Sequence, residues 1–234
     1  MAVTGFFHHI GTFLLLASTI LLIITTISSP VVNDIGMLKV TLGNATNDHY
    51  SEVSFGTFGY CYLNTADDNR DYCSHHMVGY RPADIMTVVE DTSFSSYSRD
   101  VTQVLTKVMI LHPIATGIAF IAFLLALGSG FFGSLLAAFT SLLAFIVTVV
   151  SLICDFVLFS IIRDNVNKDG SGSHASYSVG IWTILVAAIC SLLGAVIVFF
   201  TCCSARMHKR RGGARTTAGS KSDYGYPARR RGWF

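Results

Sequence analysis

The chain has 234 residues, of which 52% are hydrophobic and only 13% are charged, about half the charged fraction of an ordinary soluble domain. Sixteen Lys and Arg residues against fourteen Asp and Glu residues leave a formal net charge of +2. This balance excludes a soluble α/β enzyme, a secreted disulfide mini-protein and a wholly disordered chain, and it indicates an integral membrane protein.

Three stretches without any Asp, Glu, Lys or Arg hold the predicted membrane spans. They cover residues 1–33, 108–154 and 170–205. A helix needs about 20 apolar residues to cross the hydrocarbon layer, so the first and third stretches hold one span each. The second stretch holds two spans, divided at a glycine-containing turn over 128–133. We therefore predict an all-α membrane bundle of four helices, at 10–28, 108–127, 134–162 and 179–202.

The charges between the spans predict the orientation of the bundle. Segment 203–234 carries nine basic residues and one acidic residue, and basic residues near span ends favour the cytoplasmic side. Four spans then place residues 1–9 and the short turn inside as well. The loops 29–107 and 163–178 lie outside, and residues 30–107 carry ten acidic and five basic side chains. Both termini are therefore predicted to be cytoplasmic.

The first span has one alternative, which is a cleaved signal peptide. It lacks a basic segment before the apolar run, and that run is longer than a signal peptide needs. Thr26 and Ser28 form only a weak cleavage site. A retained span is the preferred interpretation, and the tail is cytoplasmic in either case because three remaining spans also leave it inside.

The first outer loop is the segment able to fold outside the membrane. Met37–Leu42 and Val53–Leu63 are rich in β-branched and aromatic residues, which predicts a small antiparallel sheet. Pro82 opens an apolar stretch that predicts a short helix. Asp100 and Gln103 have the spacing of a capping box, which predicts that the helix of the second span begins there.

Two cysteines in this loop, Cys61 and Cys73, face the oxidising side in the predicted orientation. Such a pair predicts a disulfide, which adds about 3 kcal/mol of stability in the chain-entropy model. The alternative is a metal site that also uses His75 and His76. Their spacing does not match a structural zinc site, so we predict neither a metal nor a cofactor.

Two kinds of covalent modification are predicted. Asn44-Ala45-Thr46 is an acceptor triplet for N-glycosylation on the predicted outer side. Cys202 and Cys203 stand where the fourth span leaves the membrane, next to a basic run, which makes them candidates for S-palmitoylation. Two buried thiols are the alternative for this pair.

The Gly, Ser and Arg composition of the tail predicts disorder over 203–234. Its first positive charges act as a topology signal and attract anionic lipid: Arg206, Lys209, Arg210 and Arg211. A single Arg-Gly-Gly fragment in a membrane-bound chain does not predict nucleic-acid binding.

Few ionisable residues lie near the predicted spans. Counting from Ser134 at about 1.5 Å per residue places Asp155 just beyond the hydrocarbon layer. We therefore expect Asp155 at the outer interface near Arg163 or Lys168, with an ion or proton path inside the membrane as the alternative. The histidines near span ends are expected to be polar anchors: His8, His9 and His112. The outer-loop histidines face external pH directly: His49, His75 and His76.

Small residues recur on the second span. Ala115 and Ala119, like Ala122 and Ala126, have the small-xxx-small spacing that lets helices approach closely. This spacing predicts packing within the bundle, and homo-oligomerisation is the alternative.

A run in the first outer loop resembles a known family. The motif is F-G-x-F-G-Y-C, followed by a second cysteine and by G-Y-R-P, and its residues are Phe55, Gly56, Phe58, Gly59, Tyr60, Cys61, Cys73, Gly79, Tyr80 and Pro82. It is similar to the first outer loop of fungal PalI-type proteins, which belong with the eisosome-associated SUR-seven tetraspans and resemble claudins in layout. The resemblance implies a claudin-like four-helix bundle in the fungal plasma membrane, with a small extracellular antiparallel β-sheet pinned by a disulfide.

The same resemblance implies a function. PalI-type members assist membrane sensors of ambient alkaline pH, and their relatives organise static membrane domains and affect cell-wall integrity. The expected partners are membrane lipids and a membrane pH sensor or another plasma-membrane protein.

The chain shows no catalytic signature. It contains no Walker loop, no dinucleotide fingerprint, no nucleophile elbow and no HExxH motif. We therefore predict a non-enzymatic scaffold or accessory subunit. A channel subunit is the rival from another class, but a channel requires a continuous polar path that these spans hardly offer.

Overall fold

The computed structural model describes residues 2–43, 51–63, 71–128 and 131–216. Six helices and five strands follow one another along these residues: α1 (Ala2–Thr26), β1 (Leu38–Thr41), β2 (Glu52–Phe55), β3 (Tyr60–Leu63), β4 (Tyr72–Cys73), α2 (Pro82–Glu90), α3 (Ser96–Val108), α4 (Leu111–Leu127), α5 (Phe131–Val166), β5 (His174–Tyr177) and α6 (Val179–Thr216). Asn44 and His49 lie outside the described residues.

Four helical stretches are long and apolar enough to cross a membrane: Phe6–Thr26, Ser96–Leu127, Gly133–Val166 and Val179–Thr201. Together with the small antiparallel sheet, they confirm the predicted fold class, a four-helix membrane bundle that carries a small sheet. The chain is therefore a multi-pass membrane protein.

The second membrane-spanning stretch begins earlier than predicted because a helix precedes the span. Met109 and Ile110 alone separate α3 from α4, so the helical stretch starts at Ser96. The break between the two helices follows from Pro113, which has no N–H to donate to the carbonyl of Met109 four residues earlier. The N–H of His112 donates to that carbonyl instead, at 3.1 Å.

The start of α3 corrects the predicted capping box. The spacing of Asp100 and Gln103 predicts a helix start that the structure does not show. Ser95 is the N-cap instead, and its Oγ accepts a hydrogen bond from the N–H of Ser98 at 3.1 Å. The short helix α2 begins at Pro82, as predicted.

The four spans form a closed bundle in which α1 contacts α4 and α6, and α5 contacts the same two helices. Buried alanines line the interior of the bundle: Ala115, Ala119, Ala122, Ala126, Ala137, Ala138, Ala144, Ala187, Ala188 and Ala195. Such small side chains let helix backbones approach closely. The small-residue spacing on the second span therefore serves packing within the bundle, as predicted.

Buried hydroxyl groups in the spans donate to main-chain carbonyls. This holds for Thr12, Ser18, Thr19, Thr25, Ser141, Thr148, Ser151 and Ser191. Ser18 bonds between helices, from α1 to the carbonyl of Ala187 on α6 at 2.8 Å, while the others bond within their own helix. The hydrogens of these hydroxyl groups are thus committed to main-chain carbonyls of the bundle.

The outer sheet has five strands in the order β4-β3-β2-β1-β5, and every neighbouring pair is antiparallel. The edge strand β5 comes from the second outer loop, where no strand is predicted, and it places Tyr177 opposite Leu38 of β1. The predicted strand Val53–Leu63 is in fact two strands, which pair with Phe55 opposite Tyr60.

The sheet and the bundle share one hydrophobic core. Phe55 of β2, Met86 of α2 and Phe159 of α5 are fully buried in the same cluster, together with Ile181 and Ile184 of α6. We call the five strands with α2 and α3 the outer unit, after the side of the membrane predicted for them. The shared core packs the outer unit directly against the spans.

The helix of the fourth span continues past the predicted end of the span. The helix α6 runs beyond Cys202 to Thr216, so the predicted disorder from residue 203 differs from the structure up to that point. Residues 217–234 lie outside the described part of the chain, as do the side chains of 202–203 and 205–216.

Candidate functional site

The first half of the motif forms a turn that is clamped onto the outer end of α1. A Cβ atom on Gly56 would lie 2.1 Å from the carbonyl oxygen of Ser29, so only glycine allows this contact. The N–H of Thr57 donates to Ser28 Oγ at 3.1 Å, and its Oγ1 donates to the carbonyl of Thr25 at 2.9 Å. The motif turn therefore couples the first span to the sheet.

The second glycine of the motif brings the turn against the segment that follows the disulfide. A Cβ atom on Gly59 would lie 2.4 Å from Ser74 Oγ, and the N–H of Tyr60 donates to that oxygen at 3.1 Å. Cys61 and Cys73 are opposite each other on β3 and β4, joined by an S–S bond of 2.05 Å. This confirms the predicted disulfide.

The alternative metal site at these cysteines is not formed, because both sulfur atoms are committed to the disulfide. His75 and His76 lie exposed on the surface beyond it. Within the described ranges, no group of three or more His, Cys, Asp or Glu side chains is placed to hold a metal ion.

Tyr80 joins the motif turn to the helix above the second span. It is 4% exposed, its hydroxyl donates to the carbonyl of Gly56 at 2.8 Å, and its own carbonyl accepts from Thr106 Oγ1 at 2.8 Å. Burial raises the pKa of Tyr80 and the nearby Asp155 raises it further, so the phenol stays a neutral donor. The preceding Gly79 has a φ of 78°, which glycine adopts without steric cost.

The remaining motif residues support the same turn. The carbonyl of Phe58 accepts from the N–H of Met77 at 2.9 Å. The rings of Phe55 and Tyr80 lie 6.4 Å apart and within 4° of parallel, and Pro82 opens α2 just beyond. The motif residues are thus brought together at the junction of the sheet with the spans.

At this junction α4 and α5 bury an ionisable pair. His112 Nε2 lies 3.0 Å from Asp155 Oδ2, and the two side chains are 1% and 2% exposed. His112 Nδ1 lies 3.0 Å from the carbonyl of Met109, the one that Pro113 leaves without its helical donor. Neither Nε2 nor Oδ2 makes a hydrogen bond of standard geometry among the described residues, so the two atoms are close without being well aligned.

This geometry determines where protons must lie. A carbonyl only accepts hydrogen bonds, so Nδ1 of His112 carries a hydrogen. Two bare acceptors would repel each other at 3.0 Å, so the contact is attractive only when one of the two atoms carries a proton. The pair is either an imidazolium beside a carboxylate or a neutral imidazole beside a carboxylic acid, and in both forms it binds α4 to α5.

The pair corrects two predictions from the sequence. The residue count predicts Asp155 at the outer interface near Arg163 or Lys168. Its depth in the membrane stays a prediction, but the expected basic neighbour is wrong, because Asp155 is buried against His112. Arg163 instead lies over the ring of Tyr177, with its guanidinium carbon 5.3 Å from the ring centre. His112 is a buried partner and not an interfacial anchor. The count could not show a contact between two different helices.

A signal for this pair is present in the sequence. Asp155 is the only charged residue between positions 108 and 162, and His112 is the only histidine there. A buried carboxylate requires a partner, and membrane-embedded ionisable residues tend to pair with one another. Applying that rule to the spans would have joined the two residues.

Other predicted site residues lie elsewhere. His8 Nε2 lies 3.1 Å from the carbonyl of Ala126 at the opposite end of the bundle. The backbone of α6 carries the predicted acylation and lipid-binding residues, but their side chains lie outside the described part: Cys202, Cys203, Arg206, Lys209, Arg210 and Arg211.

Known proteins resemble the helices and the outer unit. The family described as the SUR7/PalI family matches residues 7–194. The "pH-response regulator protein palI/RIM9" of Emericella nidulans is 31% identical over 115 residues, which are 49% of this chain and 18% of that relative. The "pH-response regulator protein palI/prr-5" of Neurospora crassa is 30% identical over 180 residues, 77% of this chain and 23% of that relative.

The name of a third relative states no function. The "Uncharacterized membrane protein TOS7" of Saccharomyces cerevisiae is 30% identical over 103 residues, 44% of this chain and 15% of that relative. The matched parts of this chain thus span only 15% to 23% of the length of these three relatives.

Proposed function

Because the chain belongs to the SUR7/PalI family, we propose that it is a non-enzymatic accessory subunit of the plasma membrane that assists a complex responding to ambient pH. Two of the relatives are named as pH-response regulators. The observation that supports the proposal is which residues match the family. Residues 7–194 include the outer unit and nearly all of the four spans. The membrane-embedded part is therefore the shared part.

The proposed mode of action is packing rather than catalysis. The Gly56 turn holds the outer unit on α1, Tyr80 joins that turn to α3, and the His112–Asp155 pair lies between α4 and α5. A change in the outer unit therefore reaches the lateral faces of the spans, where a membrane partner would bind.

The proposed orientation and partners follow from charge. The acidic outer loop faces the medium, while the nine basic residues of segment 203–234 lie in the cytoplasm and contact anionic lipid. Acylation of Cys202 and Cys203 belongs to the same proposal. A membrane pH sensor is the proposed protein partner.

Deleting the gene in the organism that encodes the chain tests this function. We expect the deletion strain to grow normally in acidic medium and to lose both growth and induction of alkaline-responsive transcripts in alkaline medium. Re-expression of residues 1–234 restores both, because the shared membrane part is present.

The outcomes separate the rival functions. A normal alkaline response combined with sensitivity to wall-damaging agents at every pH would overturn the proposal and favour an organiser of membrane domains. A reproducible ion conductance of the purified chain in liposomes would favour the channel subunit. Restoration of the response by an unrelated tetraspan would also contradict a specific accessory role.

A further inference from the structure

Two outer segments meet where α2 ends against the loop between α5 and β5. Glu90 and Ser173 are only 9% and 8% exposed there. The hydroxyl of Ser173 donates to Glu90 Oε1, and Ser173 Oγ in turn accepts from the N–H of Gly43 at 2.8 Å. One serine thus links three separate parts of the outer unit.

A second bridge joins the same two segments. Thr92 Oγ1 donates to Asp169 Oδ2 at 2.6 Å. Asp169 Oδ1 accepts from both the N–H and the hydroxyl of Ser171, at 2.9 and 2.7 Å. We call the four residues that form the two bridges the outer latch: Glu90, Thr92, Asp169 and Ser173.

The two carboxyl groups of the outer latch have opposite environments. Asp169 is exposed and both of its oxygens accept hydrogen bonds. Glu90 is buried, and its Oε2 has no hydrogen-bond partner among the described residues. An ionised Glu90 therefore places charge on a buried, unpartnered oxygen, which favours the protonated form.

Electrostatics reinforce this difference. Burial raises the pKa of Glu90, the hydrogen bond from Ser173 opposes this, and the Asp169 carboxylate raises it again, for a net increase. Partial burial acts to raise the pKa of Asp169, but hydrogen bonds from Thr92 and Ser171 outweigh it and lower that pKa. At neutral pH the exposed Asp169 stays charged whether or not Glu90 holds its proton.

No described cation neutralises Glu90 in place of a proton. Lys168, beside Asp169, has its Nζ 3.4 Å from Asp164 Oδ2, and Arg163 lies over the ring of Tyr177. Among the described residues, Asp169 is the titratable group recorded as acting on Glu90, and Asp91 follows it at the end of its own helix. The Asp169 carboxylate thus favours the protonated form of Glu90.

We propose that the outer latch is a pH-dependent link between the two outer loops, closed while Glu90 carries a proton and loosened when that proton is lost. Its direction follows from the shifts of the two carboxyl groups. Because the pKa of Glu90 is raised, its contribution to the stability of the closed latch is complete below the ordinary pKa of 4.5. That contribution is lost as the pH rises through the raised pKa. The lowered pKa of Asp169 means that its bridge is lost only as the pH falls below the ordinary value of 3.8. The bridge from Ser173 to Glu90 therefore loosens on the alkaline side, while the bridge from Thr92 to Asp169 is lost only at low pH.

A distance measurement across the outer latch tests this inference. Nitroxide labels are attached at Ser93→Cys and Lys168→Cys, two exposed positions on opposite sides of the latch. The full chain keeps the Cys61–Cys73 disulfide and carries alanine at its other cysteines: Cys154, Cys190, Cys202 and Cys203. Pulsed electron paramagnetic resonance then gives the distance distribution in nanodiscs from about pH 4 to about pH 8.

We expect a single short distance at the acidic end and a longer population that grows with pH. Because one proton controls the link, the ratio of long to short distances rises by up to about tenfold per pH unit through the transition. Glu90→Gln should keep the short distance at every pH, since its amide mimics the protonated acid. Ser173→Ala should show the longer population even at acidic pH. Asp164→Asn, an exposed acid near the labelled loop, serves as the control and should follow the wild type.

An unchanged distribution in the wild type across this range would overturn the outer latch, and so would a Glu90→Gln variant that keeps the wild-type transition. The inference goes beyond the proposed function and is tested on the purified chain. If the latch inference fails, the alkaline response of the deletion strain still tests the proposed function independently.

Discussion

Replacing Asp155 with leucine is expected to lower the free energy of unfolding by about 3–5 kcal/mol. Nε2 of His112 would lose its one partner at 3.0 Å while remaining buried between α4 and α5. Equilibrium unfolding in mixed micelles measures the loss. An Asp155→Leu variant as stable as the wild type would show that the pair does not hold the two spans together.

Two further variants make this test specific. Asp155→Asn should cost less than Asp155→Leu, because its amide N–H can donate to Nε2 of a neutral imidazole. Asp164 lies on the same helix, and its side chain is 58% exposed. Asp164→Asn should therefore change the free energy of unfolding by no more than about 0.5 kcal/mol. Equal losses for asparagine and leucine at position 155 would indicate that charge, rather than a hydrogen bond, is the requirement.

Replacing Gly56 with alanine should destabilise the outer unit by about 3 kcal/mol, at the upper end of the usual cost of overpacking. The new methyl group would lie 2.1 Å from the carbonyl oxygen and 2.7 Å from the nitrogen of Ser29, so main chain must move. The displacement would also disturb the bond from Tyr80 to the carbonyl of Gly56. We expect slower formation of the Cys61–Cys73 disulfide and a lower unfolding midpoint in micelles.

Gly117→Ala is the matched control for this substitution. A Cβ atom at Gly117 meets nothing within 4 Å, and alanine favours the helix over glycine by up to about 1 kcal/mol. This variant should be as stable as the wild type or more stable. If Gly56→Ala matched Gly117→Ala, the close contact between the motif turn and α1 would not contribute to folding.

The four spans could be predicted because charge is the strongest signal a membrane imposes on a sequence. Each charge-free stretch matches one or two helices of the bundle. The disulfide could be predicted for a similar reason, since two cysteines in one outer loop have few alternatives. These features depend on solvent and compartment more than on packing detail.

The features missed by the sequence depend on contacts between distant segments. The strand β5 has four residues after a Ser- and Gly-rich segment, and pairing with β1 alone makes it a strand. Ser95 and Asp100 both satisfy local rules for a helix start, and the packing of α3 decides between them. Asp155 is likewise buried by an outer unit whose position the sequence of α5 does not contain.

The proposed role requires that the outer unit face the medium while the tail faces the cytoplasm. Intact spheroplasts test this with two reporters, a C-terminal tag and Lys168→Cys in the chain without its free cysteines. We predict that external protease leaves the tag uncut and that a membrane-impermeant maleimide labels residue 168, which lies exposed on the outer unit's second loop. Cleavage of the tag from outside, with residue 168 labelled only after the membrane is opened, would contradict the orientation on which the pH-response proposal depends.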